Sequence, residues 1–67
     1  MMKRMIRDGV RYEILCLDNG WCEVVVDDVA YAKVTNYEEA RRVVWLILKE
    51  SDSEVEYITD DMFEEFD

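Results

Sequence analysis

The chain reads as an α+β domain: a three-stranded antiparallel meander, a helix, a fourth strand (βββαβ) and a short C-terminal helix. Three observations predict this. Residues 10–17 and 21–26 are β-rich, alternating segments on either side of Asn19-Gly20, the strongest short hairpin signal. From Tyr37 the apolar residues switch to helical spacing, with Ala40, Val43, Val44, Ile47 and Leu48 on the same face. Residues 54–58 then return to alternation. Sixty-seven residues suffice for one domain, 1–67, and not for two.

Taken in order, the basic start at Lys3, Arg4 and Arg7 leaves three readings open. Residues 1–8 are a mobile basic arm, or they pair with the protein's own acidic end, or they precede a start at Met5. The first strand, 10–17, turns at Asp18-Asn19-Gly20 into the second, 21–26, and Asp27-Asp28 turns into the third, 29–34. With a two-residue hairpin loop Leu17 opposes Cys22 and Cys16 opposes Glu23. The two thiols then point to opposite faces and stay free. Free thiols imply a reducing compartment, so a cytoplasmic location is expected. In this register both sheet faces are apolar. Tyr12, Ile14, Cys16, Trp21, Val25, Ala30, Ala32 and Val34 lie on one, and Leu15, Leu17, Cys22, Val24, Val26, Val29 and Tyr31 on the other. One helix covers one of them and leaves the other to the last helix, a second copy or a partner.

Thr35 or Asn36 caps the long helix, Glu38 and Glu39 sit in its first turn where the macrodipole favours them, and Ser51-Asp52-Ser53 ends it. A right-handed crossover lays 54–58 beside the first strand and parallel to it, for a sheet order of 3-2-1-4. Thr59 caps a final helix over 60–66.

The net charge of −9 is segregated. Residues 1–11 are basic by three charges, whereas residues 50–67 hold nine acidic side chains and no basic one. Such a field repels nucleic acid and anionic lipid, so neither direct nucleic-acid binding nor docking on a membrane is expected. No apolar run approaches the roughly 18 residues of a membrane span. Asp8 follows the basic start directly, with no apolar stretch behind it, so no signal peptide is read.

Catalytic constellations are missing from the sequence. There is no His, and Ser51 and Ser53 have no imidazole to activate them. Two Cys facing opposite ways make no zinc site, and two isolated Gly make no phosphate loop. The acidic stretch 52–61 lacks the spacing and the Gly of an EF-hand loop, and Glu64-Glu65 reads as a solvated face. No catalytic residue, metal or cofactor is therefore expected.

These exclusions leave a non-catalytic acidic binding protein. Glu50, Asp52, Glu54 and Glu56 alternate through a turn and a strand, and Asp60, Asp61, Glu64, Glu65 and Asp67 extend the row. Phe63, Phe66 and Trp45 supply apolar anchors. Arg and Lys in a nucleic-acid groove accept a carboxylate row as they accept phosphates. The expected partner is thus a basic protein, a nucleic-acid-handling enzyme whose groove this chain occupies as a nucleic-acid mimic. In size, charge and absence of catalytic residues the chain resembles phage-encoded inhibitors of bacterial defence or DNA-processing enzymes, anti-CRISPR proteins among them. That likeness is one of general character and implies action in the host cytoplasm.

The alternative is a small adaptor or homodimer acting through an exposed apolar sheet face, Trp45 and Leu46. In a variant of it, the acidic, aromatic stretch 59–67 acts as a recruitment tail. It is similar in type to the tail of bacterial single-stranded-DNA-binding proteins, although there a Phe is the final residue and here Asp67 follows Phe66.

Overall fold

A computed structural model describes residues 1–66; the predicted contact residue Asp67 lies outside the described residues. The α+β class holds. Five strands form one antiparallel sheet: β1 (Met2–Arg7), β2 (Val10–Cys16), β3 (Cys22–Val26), β4 (Val29–Val34) and β5 (Glu64–Glu65), in the order β4-β3-β2-β1-β5. One helix, α1 (Tyr37–Ser51), packs over β2, β3 and β4.

The meander is built by its turns. Asp8 and Gly9 both have positive φ, 53° and 79°, as do Asp27 and Asp28, 47° and 68°. Two consecutive left-handed residues are what the tight two-residue hairpin requires. The middle hairpin is different. Gly20 N–H donates to the Leu17 carbonyl (3.0 Å), Leu17 N–H donates to the Trp21 carbonyl (2.8 Å), and Gly20 sits at φ 94°. This is a three-residue loop closed by a glycine bulge. Its extra residue moves the register by one, so Cys16 lies directly opposite Cys22.

That single step corrects two expectations. Cys16 and Cys22 share a face, with Cα atoms 4.0 Å apart, and form a disulfide; the inference from free thiols to a reducing compartment loses its premise. The sheet is also not apolar on both sides. Tyr12, Ile14, Cys22 and Val24 fall together on the helix side with Met5 from β1, while Arg4, Arg11, Glu13, Glu23 and Lys33 fall on the other.

The N-terminal segment is not a mobile arm. It is β1, and it takes the place beside β2 that residues 54–58 were expected to fill, so the predicted order 3-2-1-4 becomes β4-β3-β2-β1 with β5 outside. Residues 54–58 form no strand. The predicted last helix is a single 3₁₀ turn, Asp60–Met62, followed by β5, which pairs antiparallel with Lys3 and Arg4.

The helix begins where expected. Of the two candidate caps it uses Asn36, whose side chain accepts from the Glu39 N–H at 2.8 Å. Its buried stripe is Ala40, Val44 and Leu48, flanked by Tyr37, Val43 and Ile47. The core is closed by Val55, Ile58 and Phe63, which come from the chain after the helix.

Candidate functional site

The acidic segment is held in place by side chains spaced four apart on α1. Trp45 Nε1 donates to the Val55 carbonyl (3.4 Å) and its ring meets Tyr57 edge-on at 5.2 Å. One turn earlier, Arg41 donates to the Ile58 carbonyl (3.2 Å). One turn earlier again, the Tyr37 hydroxyl donates to Asp60 (2.6 Å). Lys49 completes the stripe with its ammonium 4.4 Å from the Trp45 ring. Residues 55–60 thus run back along the helix, antiparallel to it. Backbone carbonyls that would need a strand partner are satisfied by side chains instead. The signal in the sequence was the four-residue spacing of Tyr37, Arg41, Trp45 and Lys49, each able to reach a neighbour on one side of the main apolar stripe.

The segment is anchored at its far end by Lys3. Its side chain is only 11% exposed, and its ammonium sits 2.8 Å from the Asp60 carboxylate and 5.7 Å from the Tyr37 ring centre. The hydrogen bond from Lys3, and then that from Tyr37, hold the Asp60 carboxyl below its ordinary range. Desolvation, and after it the bond to Asp60, push the Tyr37 phenol well above its ordinary value. Phe63 then packs edge-on against Tyr37 at 6.5 Å. Arg4 lies across from Glu64 and places its guanidinium 4.8 Å from the centre of the Phe66 ring. Lys3 and Arg4 therefore face the protein's own acidic end, one of the three readings left open for the basic start.

This architecture sorts the predicted contact residues. Glu50, Asp52, Glu54, Glu56, Asp60, Asp61, Glu64 and Glu65 are all exposed. Among the described residues Asp60 alone of these eight is in an ion pair. The other seven form a ribbon that starts at the end of α1, follows its flank back toward its beginning, and finishes at the β5 edge of the sheet. Some are tied locally. Asp52 accepts from the Glu54 N–H at 3.1 Å, and Asp61 accepts from the Thr59 hydroxyl. Val55 and Ile58 face inward between them, which fixes the outward direction of the carboxylates.

The three apolar anchors stand differently. Phe63 is buried, Phe66 is half-buried beneath Arg4, and Trp45 is half-buried between Tyr57 and Lys49. Leu46 (48% exposed), Tyr57 (42%) and Met62 (37%) are apolar side chains of the helix and this segment that reach solvent. Tyr57 was missed because its alternation with Val55 placed it within a strand.

Among the described residues no three His, Cys, Asp or Glu side chains come together to hold a metal ion. No helix is long and apolar enough to cross a membrane. No protein family's model, no curated protein and no solved structure matches this chain.

Proposed function

We propose that this protein acts by stoichiometric binding, with its acidic ribbon laid against a basic, nucleic-acid-binding surface of a target protein. One observation carries the reading: seven exposed carboxylates without an ion-pair partner lie on a backbone that the helix has already fixed. A disordered acidic tail loses conformational entropy when it docks, typically several kcal/mol. A ribbon ordered before binding avoids that cost. Guanidinium and ammonium groups lining a phosphate groove bond carboxylates with the same charge-assisted geometry they use for phosphates. The net charge of −9 speeds the encounter with such a groove and turns nucleic acid away from the protein itself. The general likeness to phage-encoded inhibitors of nucleic-acid enzymes points in the same direction.

The test is a pull-down from bacterial lysate at low and high salt, with captured proteins identified by mass spectrometry. The control is a Glu54→Lys, Glu56→Lys, Asp61→Lys variant. All three residues are exposed and none is in an ion pair; the one side-chain bond lost is the local one from Thr59 to Asp61, so the variant is expected to keep its fold, which its circular dichroism spectrum checks. Asp60 is left alone, because Lys there would face Lys3. One basic nucleic-acid enzyme, captured at one-to-one ratio, released by salt and lost in the variant, is the expected result. Equal capture by the variant, or capture that survives high salt, overturns the electrostatic account.

A further inference from the structure

The helix and the segment after it cover one face of the sheet, and the opposite face is open. In register across it run Met2, Leu15, Glu23 and Lys33 in one row, and Arg4, Glu13, Val25 and Ala30 in the next. Ile6 pairs with Arg11 beyond them, and Leu17 and Trp21 stand at the hairpin end. Ile6 is 67% exposed, Leu17 63% and Trp21 44%, values ordinarily found for polar side chains. Leu15, Leu17, Trp21, Glu23 and Lys33 line one shallow depression.

The charge of this face is the decisive point. Arg4, Arg11 and Lys33 stand against four carboxylates: Glu13, Glu23, Asp28, which is ion-paired with Arg11, and Glu64, across from Arg4 on β5. The unlike charges are neighbours: Glu23 lies opposite Lys33, and Arg4 lies between Glu13 and Glu64. With three basic and four acidic side chains, this face carries one negative charge of the net −9. A basic partner gains nothing electrostatically by choosing it over the acidic flank. Two copies of this chain repel most through their acidic flanks, and on this near-neutral face they meet with the least local penalty.

We infer that the open sheet face is the contact between two copies of the protein, packed face to face as a two-layer sandwich. Sheets stack in this way about 10 Å apart, with side chains from both faces interleaved. β1 to β4 are five to seven residues long, which gives a flat footprint of about 400 Å². A standard interface buries about 800 Å² on each partner, so a contact of half that size is a weak, transient one. The free edge of β4 is a poorer route, since it carries Lys33 and, at Tyr31, the extra residue of a bulge opposite Val24 and Val25, both of which discourage strand pairing. Stacked through their open faces, two copies keep their acidic ribbons, apart from Glu64 at the β5 edge, outside the contact.

Sedimentation velocity of the full chain, from low to high micromolar concentration, tests this. The mass is expected to rise from 8.0 kDa toward twice that value, and raised salt is expected to leave the dimer intact or tighten it. An Ile6→Glu, Leu17→Glu variant places four carboxylates in the dimer contact and touches no core residue. It is expected to weaken dimerisation at least tenfold, with an unchanged circular dichroism spectrum and urea midpoint. A wild-type chain that stays at 8.0 kDa throughout overturns the inference. So does a variant that still doubles its mass, because a different surface then makes the contact.

Discussion

Ile58 lies in neither helix nor strand, yet it is completely buried, and shortening it tests whether the segment after the helix is part of the fold or merely rests upon it. An Ile58→Val change removes one methylene from a closed site and is expected to cost about 0.5–1.5 kcal/mol, while Ile58→Ala is expected to cost about 2–5 kcal/mol. At roughly 0.05–0.15 kcal/mol per residue the whole domain is stable by about 3–10 kcal/mol. The alanine variant therefore forfeits a large part of the total, and the valine variant is the quantitative one. With a urea slope of about 1 kcal/mol/M for so small a chain, its midpoint is expected to fall by about 0.5–1.5 M. The assay follows two signals in a Trp21→Phe background. Fluorescence of Trp45 reports the segment, through its bond to Val55 and its contact with Tyr57, and far-ultraviolet circular dichroism reports the helix. The two curves are expected to coincide and to shift together. An unchanged midpoint in Ile58→Val refutes the reasoning. A fluorescence transition that moves while the helix signal stays refutes it too, since the segment then docks on its own account.

Three further outcomes follow from the same contacts. Asp60 has a lowered carboxyl pKa in the folded state, so the unfolded chain binds more protons as the solution is acidified. Its contribution is present above the ordinary aspartate value and is lost as pH falls through the lowered one; urea midpoints measured below about pH 4 should show a smaller acid loss in Asp60→Asn than in wild type. The Cys16–Cys22 disulfide closes a span of six residues, and the Cys16→Ser, Cys22→Ser variant is expected to lose about 2 kcal/mol. Alkylation without prior reduction should leave both cysteines unmodified, and labelling of either thiol contradicts the pairing. A chain shortened to begin at Met5 lacks Met2, Lys3 and Arg4, which pair with β2 and β5. It is expected to lose cooperative unfolding, and a truncated chain with a wild-type spectrum and midpoint argues that β1 is dispensable.

The helix was legible because its stripe of six apolar residues has no competing explanation, and the Asp27-Asp28 turn because two acidic residues between β-branched runs have few other uses. Asn19-Gly20 was harder. The dipeptide serves a two-residue loop or a three-residue loop with a glycine bulge, and the two differ by one register step. That step exchanged the faces of β3, which separated the two cysteines and made a one-sided sheet look two-sided. Asp8-Gly9 carries the same kind of turn signal, but the basic residues before it left a mobile arm, a pairing with the acidic end and a start at Met5 all open, and none of these is a strand. Lys3 is buried only because Asp60, 57 residues away, neutralises it, and no local pattern encodes such a partner. For the candidate site, the exposed position of the carboxylates followed from their density. The pairing of Asp60 and the burial of Phe63 depended on Tyr37, on another element. Residues 54–58 alternate like a strand, yet their buried members, Val55 and Ile58, are three apart, a spacing set by the helix they lie on.

The pairing of Lys3 with Asp60 also sets a clock. A ribosome adding roughly 5–20 residues per second needs about 3–11 s to travel the 57 residues between them. Throughout that interval the outer edge of β1 is without β5, and its lysine has no counter-charge. The hairpins and the helix can form in microseconds to milliseconds, long before the chain is finished. Synthesis therefore passes through a species, lasting seconds, with an open strand edge that closes only once Glu64 and Glu65 have been made.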